Sequence, residues 1–268
     1  MSANMMYTAI SGLGTFNEAL SVVSDNIANA NTTAYKSQTV DFGNLVSGFM
    51  PTVYDNNTTS QGVGSSILST ASNQNTGTEV QTSLWSDLML QGGGFFTVQN
   101  THSNADYYTR DGSFEVNPTG YLTDKNGNEV LDGSGSPIQV EADPTNPVYS
   151  SYSIDQFGNL SGITSAGSTA TIGQLGVTTF SNPSGLVSVG NNMFTTGNTG
   201  SNAGTAVVGT AGAGQAGTIL SGALEGSNVD LTTQMVNMIN FQADYQANSK
   251  SIVTANTLLQ TVVNLIAG

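Results

Sequence analysis

From Leu231 to the C-terminal end, residues recur in alternating steps of four and three. Leu231, Met235, Met238, Tyr245, Ile252, Leu259, Val263 and Ile266 are apolar, and Gln242, Ser249 and Asn256 fall on the same line. A 3.5-residue repeat held this long predicts one helix with a narrow apolar stripe, of the kind that packs as a coiled coil. About 36 residues at 1.5 Å rise make a rod of roughly 54 Å, longer than the core of a small domain. The polar positions come once per heptad, which fixes register at a cost in stability. Ser227-Asn228-Val229-Asp230 matches a capping box just before the run. Fully burying eight such side chains contributes on the order of 12–24 kcal/mol before ordering entropy is subtracted. That stripe needs a partner surface.

The other end carries a shorter version. Met6, Ile10, Leu13, Leu20 and Ile27 keep the same repeat from Asn4 to about Asn31, with Asn17 and Ser24 on the line. Gly12 and Gly14 lie inside this helix, each costing about 1 kcal/mol relative to Ala. It is therefore expected to be weak alone, and too short to cover the C-terminal stripe. Neighbouring copies are the natural partner.

Between the helices the period changes to two, punctuated by turn residues. Strands are expected at Phe95–Val98, Ala105–Arg110, Ser113–Val116, Tyr121–Thr123, Glu129–Leu131, Ile138–Val140, Ser151–Ile154, Ile172–Phe180 and Leu186–Val189. Gly92-Gly93-Gly94, Asn117-Pro118 and Asn126-Gly127 mark turns. Met50–Asn75 and Thr195–Gly217 have the Ser/Thr/Asn/Gly and Gly/Ala/Thr composition of linkers or extended arms. The class is α+β. The division is a helix at 1–36, a linker or arm at 37–82, a β-rich domain at 83–217 and a helix at 218–268.

Composition narrows the function. Eighteen acidic residues against 4 Lys and Arg give a net charge of −14, which argues against nucleic acid or an anionic membrane as partner. There is no Cys and one His, His102, so thiolate and multi-imidazole metal sites are excluded. No segment approaches the ~20 apolar residues of a membrane span. The first basic residue is Lys36, so no cleaved secretory signal is expected.

The apparent catalytic motifs fail on inspection. Gly92-Gly93-Gly94 lacks the following Lys-Ser/Thr and helix of a phosphate loop. Asp124-Lys125-Asn126-Gly127-Asn128-Glu129 opens like a calcium loop, but its sixth position is Glu129 and its twelfth Gly135, so a hairpin turn is expected. His102 reads as a solvent-loop residue. Asp106, Arg110 and Asp111 read as a structural charge cluster, and Trp85, the sole Trp, as core. No catalytic residue, cofactor or metal is assigned. A glycosidase with paired carboxylates finds no pair with distinguishing context.

Several runs resemble the axial proteins of the flagellar hook–basal body. Met6-Tyr7-Thr8-Ala9-Ile10-Ser11-Gly12 is similar to the start of the rod proteins, and Asp25 through Ser37 resembles the family's N-terminal signature. This chain has Asp25, Ala34 and Tyr35 where that signature has Asn, Gly and Phe. Gly92-Gly93-Gly94-Phe95-Phe96 resembles the family's glycine turn, and Tyr108–Phe114 with Gly120-Tyr121-Leu122 the hairpin after it. Ile172–Gly176, Gly190–Phe194, Ser221–Asp230 and Val236–Ile239 resemble later core and C-terminal segments. These matches run in family order over nearly the whole chain.

The resemblance implies a non-enzymatic subunit exported through the flagellar type III export apparatus. Its terminal helices would pair as a coiled-coil inner domain, with a β-rich outer domain of short antiparallel strands. Copies would form a hollow helical homopolymer that transmits torque, passes exported subunits and joins neighbouring rod and hook proteins. The place would be the periplasm-spanning rod or the extracellular hook. Val130-Leu131-Asp132, Pro137-Ile138 and Ile154–Leu160 look rod-like, as does the length, while Ala223-Leu224-Glu225 and Asn228–Leu231 also occur in hook-like sequences. A rod subunit is the first reading and a short hook protein the second. A secreted β-rich binding module is the more remote alternative.

Overall fold

The computed structural model describes residues 2–46, 62–141, 149–164, 167–197 and 203–267. The chain divides into two units. One comprises Met1–Ala30, Ser37–Asn73 and Val229–Gly268, and the other Asn31–Lys36 and Gln74–Asn228.

The first unit holds both long helices, α1 (Ser2–Ala28) and α2 (Leu231–Ala267), and a hairpin of β1 (Gln38–Val46) with β2 (Gly62–Ser72). On α1, Ala9, Gly12, Thr15, Ala19, Val23 and Asn26 are buried, and steps of three and four keep them on one face. Small residues on this line let backbones approach: a Cβ on Gly12 would lie 2.6 Å from Asn248 Nδ2. Farther along, the Phe16 and Phe241 ring centroids are 6.2 Å apart, and Asn26 donates to Gln234 at 3.2 Å. Partners on α2 therefore descend in number as α1 ascends, so the helices run antiparallel. Phe42 of β1 completes a cluster, 6.0 Å from Phe16 and 5.8 Å from Phe241. Such ring pairs add about 0.5–1.5 kcal/mol each beyond the area they bury.

The cap of α2 differs from the expected box. Asp230 Oδ1 accepts the Thr232 and Thr233 amides at 2.9 and 3.4 Å, and Oδ2 accepts the Thr233 hydroxyl at 2.9 Å. The acceptor is the residue adjoining the helix, since only that position reaches the free amides of the first turn. Ser227 is buried within the other unit.

That second unit is built of short antiparallel strands. They are β3 (Glu79–Gln81), β4 (Leu88–Gln91), β5 (Phe95–Gln99), β6 (Asp106–Thr109), β7 (Glu115–Val116), β8 (Leu122–Thr123) and β9 (Glu129–Val130). Then follow β10 (Tyr149–Ile154), β11 (Asn159–Thr164), β12 (Thr169–Gln174), β13 (Gly176–Thr179), β14 (Val187–Gly190), β15 (Met193–Thr195), β16 (Val207–Thr210), β17 (Thr218–Ser221) and β18 (Ala223–Glu225). The main sheet runs β14-β15-β6-β5-β9-β8-β7, with β13 also on β5 and β16 on β13. β10, β11 and β12 form a second sheet, and β17 pairs with β4 and β18 with β3. Period two divides adjacent residues between cores. Phe96 joins Leu88, Val98, Phe114, Leu122 and Leu160, whereas Phe95 turns to Phe180 and Phe194.

One turn chemistry recurs. In Asn117–Tyr121, Asp124–Asn128, Asp132–Ser136 and Asp155–Asn159, the first side chain's Oδ1 accepts amides two and four residues on. The fourth residue is glycine at φ 81–84°, a conformation where a Cβ is costly. The calcium-like run at Asp124 is thus a hairpin turn whose carboxylate is satisfied by its own loop.

Strands form at most of the expected places. Ile138–Val140 makes only isolated bridges around it, and Ile172–Phe180 is split at Leu175 into β12 and β13. The loose stretches carry order that composition hid: β2 lies within Met50–Asn75 and β16 within Thr195–Gly217. Residues 50–61 and 198–202 of those stretches lie outside the described residues.

Candidate assembly interface

The expected stripe and the buried line on α1 are neighbours, offset by one residue. Met6, Leu13, Leu20 and Ile27 are half-buried, Ile10 is 53% exposed, and Asn17 and Ser24 are exposed. The line through Ala9, Gly12 and Ala19 takes the intramolecular contact. Sequence reading missed it because it scored large side chains, while close helix approach favours small ones. The signal was present in the Ala/Gly spacing.

On α2, Gln234, Phe241 and Asn248 meet α1, while Met238 and Ile252 are half-buried and Ala255 is fully buried. Met238 and Ile252 of the expected stripe are thus partly covered within the chain. Leu231, Met235, Tyr245, Leu259, Val263 and Ile266 remain exposed. So do Val236, Ile239, Leu258, Val262 and Leu265, the last 84% exposed. Near the start of α1, Tyr7, Ile10, Ser11 and Val63 line a cleft of about 430 Å³. No side chain before Glu18 on α1, or after Lys250 on α2, is charged. The first unit thus presents large apolar side chains with no charge among them at one end of the helix pair. No helix among the described residues is long and apolar enough to cross a membrane.

The second unit conceals a buried ion cluster. Glu225 Oε1 accepts from Lys36 Nζ at 2.6 Å and from the Gly77 amide at 2.8 Å, and Oε2 faces Arg110 Nη1 at 3.4 Å. Lys36 Nζ also donates to the Asn75 carbonyl at 2.7 Å, and Arg110 Nη2 to that of Gly92 at 2.7 Å. The Arg110 guanidinium lies 5.4 Å from the Phe95 ring centroid. Burial pushes the Lys36 ammonium below its ordinary value, while Glu225 pulls the other way. Burial lowers Arg110 likewise, opposed by Glu225. No solvent reaches the carboxylate, and the cluster ties segments together inside the β unit.

The expected cluster of Asp106, Arg110 and Asp111 does not form. Asp106 accepts from Gln99, Asp111 from Ser113, and Arg110 turns to Glu225. The true partner lies 115 residues away in sequence, beyond any local spacing rule. His102 is exposed on a turn beside Thr101. Trp85 packs on the main core, 4.7 Å from the Tyr152 ring. Gly92 and Gly94 adopt φ of 118° and 115° in a turn leading into β5. No cluster of His, Asp or Glu among the described residues could hold a metal ion.

Comparison with known proteins follows this geometry along the chain. Residues 6–36 match the family model described as flagella basal body rod protein. Residues 89–162 match the flagellar hook protein FlgE/F/G D1 domain. Residues 220–265 match the flagellar basal body rod FlgEFG protein C-terminal domain. The chain is 36% identical to the flagellar basal-body rod protein FlgG of Bacillus subtilis (strain 168), over 97% of this chain and 98% of that protein. It is 33% identical to the FlgG rod protein of Buchnera aphidicola subsp. Schizaphis graminum, over 92% and 93%. Similarity to the flagellar hook protein FlgE of Escherichia coli (strain K12) is 43% identity, over 43% of this chain and 28% of that protein.

Proposed function

This chain belongs to the FlgG family of flagellar basal-body rod proteins, and on that premise we propose how it serves as a structural subunit of the rod. Its role is mechanical rather than catalytic. Sister copies cover the apolar faces of α1 and α2, so that the helices become a coiled-coil inner tube. The β unit lies outside it. The contacts are head-to-tail and do not close, which generates a helical homopolymer. The hollow tube transmits torque, passes exported subunits, and meets neighbouring rod and hook proteins at its ends. The subunit reaches the periplasm-spanning rod through the type III export apparatus.

One observation carries this reading: the large apolar side chains of α2 from Leu258 to Ile266 are exposed in a segment free of charge. Burying each contributes about 1.5–3 kcal/mol, which favours a permanent partner. Proposed interface residues are Met6, Ile10, Leu13, Leu20 and Ile27 with Leu231, Met235, Met238, Tyr245, Ile252, Leu259, Val263 and Ile266. Val263→Asp tests it better than Ile252→Asp, because Ile252 is half-buried within the chain whereas Val263 is 61% exposed. The expected result is an unchanged monomer circular dichroism spectrum with rod assembly and motility abolished. Normal rods from Val263→Asp would overturn the interface. The higher local identity to hook protein favours a short hook as the second reading, and cryo-microscopy of purified basal bodies decides between them.

A further inference from the structure

In this acidic chain, no Asp, Glu, Lys, Arg or His occurs between Gln156 and Leu224. That interval supplies two open edges of the main sheet. β14 pairs only with β15, and β16 only with β13, so each leaves one side without a strand among the described residues. Both edges are apolar and exposed: Val187 is 48% and Val189 46% exposed on β14, and Val207 60% and Val208 49% on β16. The third edge, β7, is two residues long and carries exposed Glu115. Natural sheets protect free edges with charge, shortness or proline, because an uncovered edge is a template for another strand. β7 is protected in this way, whereas β14 and β16 are not.

We propose that β14 of one copy pairs with β16 of the next, forming a lateral contact between β units in the assembled rod. This rests on the rod reading above and specifies a second surface for it. The occupant is a sister copy: the rod reading brings copies together, and this charge-free face lets two chains of net charge −14 meet without opposing carboxylates at close range. The two edges belong to one sheet but are separated by β15, β6, β5 and β13. Joining unlike edges is a head-to-tail contact, which propagates as a helix where the rotation between copies does not close a ring, whereas pairing like edges would stop at a dimer.

The chain has no cysteine, which makes the contact testable by cross-linking of the full-length protein. Val187→Cys or Val189→Cys is combined with Val207→Cys or Val208→Cys, giving four double variants that sample both faces of the β16 edge. A disulfide needs Cα atoms within about 7 Å, and the dilute monomer of each double variant reveals any bond formed within one chain. Assembled rods are oxidised and run under non-reducing conditions. A ladder of covalent multimers from at least one double variant, absent from each single variant and from dilute monomer, is expected. Absence of a ladder from all four in rods of normal morphology overturns the proposal, as do dimers from a single variant. Failure of the unsubstituted chain to form rods would instead defeat the underlying rod reading.

Discussion

Lys36 and Glu225 lie 189 positions apart in sequence and meet at 2.6 Å, with side chains 1% and 0% exposed. The pair stands where the chain enters and leaves the β unit. Lys36 ends the short segment Asn31–Lys36, and Glu225 lies just before the exit at Asn228. The Ala34 amide donates to the Glu225 carbonyl at 2.7 Å, and Asn228 donates to the Tyr35 and Asn75 carbonyls. The carboxylate therefore fastens three separated stretches.

Replacing that carboxylate leaves two buried cations facing a neutral group. Glu225→Gln is expected to destabilise the β unit by about 3–5 kcal/mol. Lys36→Met should cost less, since Glu225 then keeps Arg110 and the Gly77 amide. Trp85, the only tryptophan and a neighbour of the main core, reports urea unfolding by its fluorescence. Equal losses for the two variants would show that the charge balance does not govern the site.

Ala34 is buried at φ 56°, a left-handed conformation in which an alanine Cβ crowds the backbone. Ala34→Gly is expected to stabilise the β unit by about 1 kcal/mol. A lower urea midpoint for this variant would mean that the alanine methyl's packing outweighs its strain.

Two glycines of α1 should respond oppositely to alanine. A Cβ on Gly14 meets nothing within 4 Å, whereas one on Gly12 lies 2.6 Å from Asn248 Nδ2. Gly14→Ala should raise helix stability by about 1 kcal/mol. Gly12→Ala must displace Asn248 and should gain less or lose. Helical circular dichroism during thermal unfolding of the monomer compares them, and identical gains would sink the close-approach account.

Acid should weaken both units through carboxylates held as hydrogen-bond acceptors. Thr233 and Thr232 hold Asp230 below its ordinary value of 3.8. At Asp132 and Asp155 slight burial pushes upward, but bonds from Ser136 and Ser134, and from Asn159 and Phe157, outweigh it. A depressed folded value means the unfolded chain binds more protons, so this stability is present above about pH 3.8 and lost as pH falls through the folded values. Asp132→Asn should flatten the fall below about pH 3.8 seen in thermal midpoints. An unchanged slope would exclude Asp132 as a contributor.

The features legible in the sequence were those set by neighbours along the chain. Both helices follow from periodicity, and the turns at Asn117 and Asp124 from their Asn-Pro and Asn-Gly pairs. β1 and β2 were hidden because β2 is Ser-rich with weak alternation and their ladder pairs residues as distant as Gln38 and Ser72. The helix stripe was half legible. The repeat gave the right period, but a 3.5 pattern fits two adjacent lines of α1, and only packing distinguishes Ile10 and Leu13 from Ala9 and Gly12.

By itself the sequence determined an α+β chain with helices at its ends and apolar stripes along them. These properties arise from side-chain order and local backbone preference, which need no knowledge of distant residues. Tertiary structure alone decided that Lys36 and Arg110 share Glu225, which face of each helix is covered within the chain, and which strand edges stay open. Those outcomes depend on how closely backbones approach and which polar groups lose water, and both are settled only when remote segments meet.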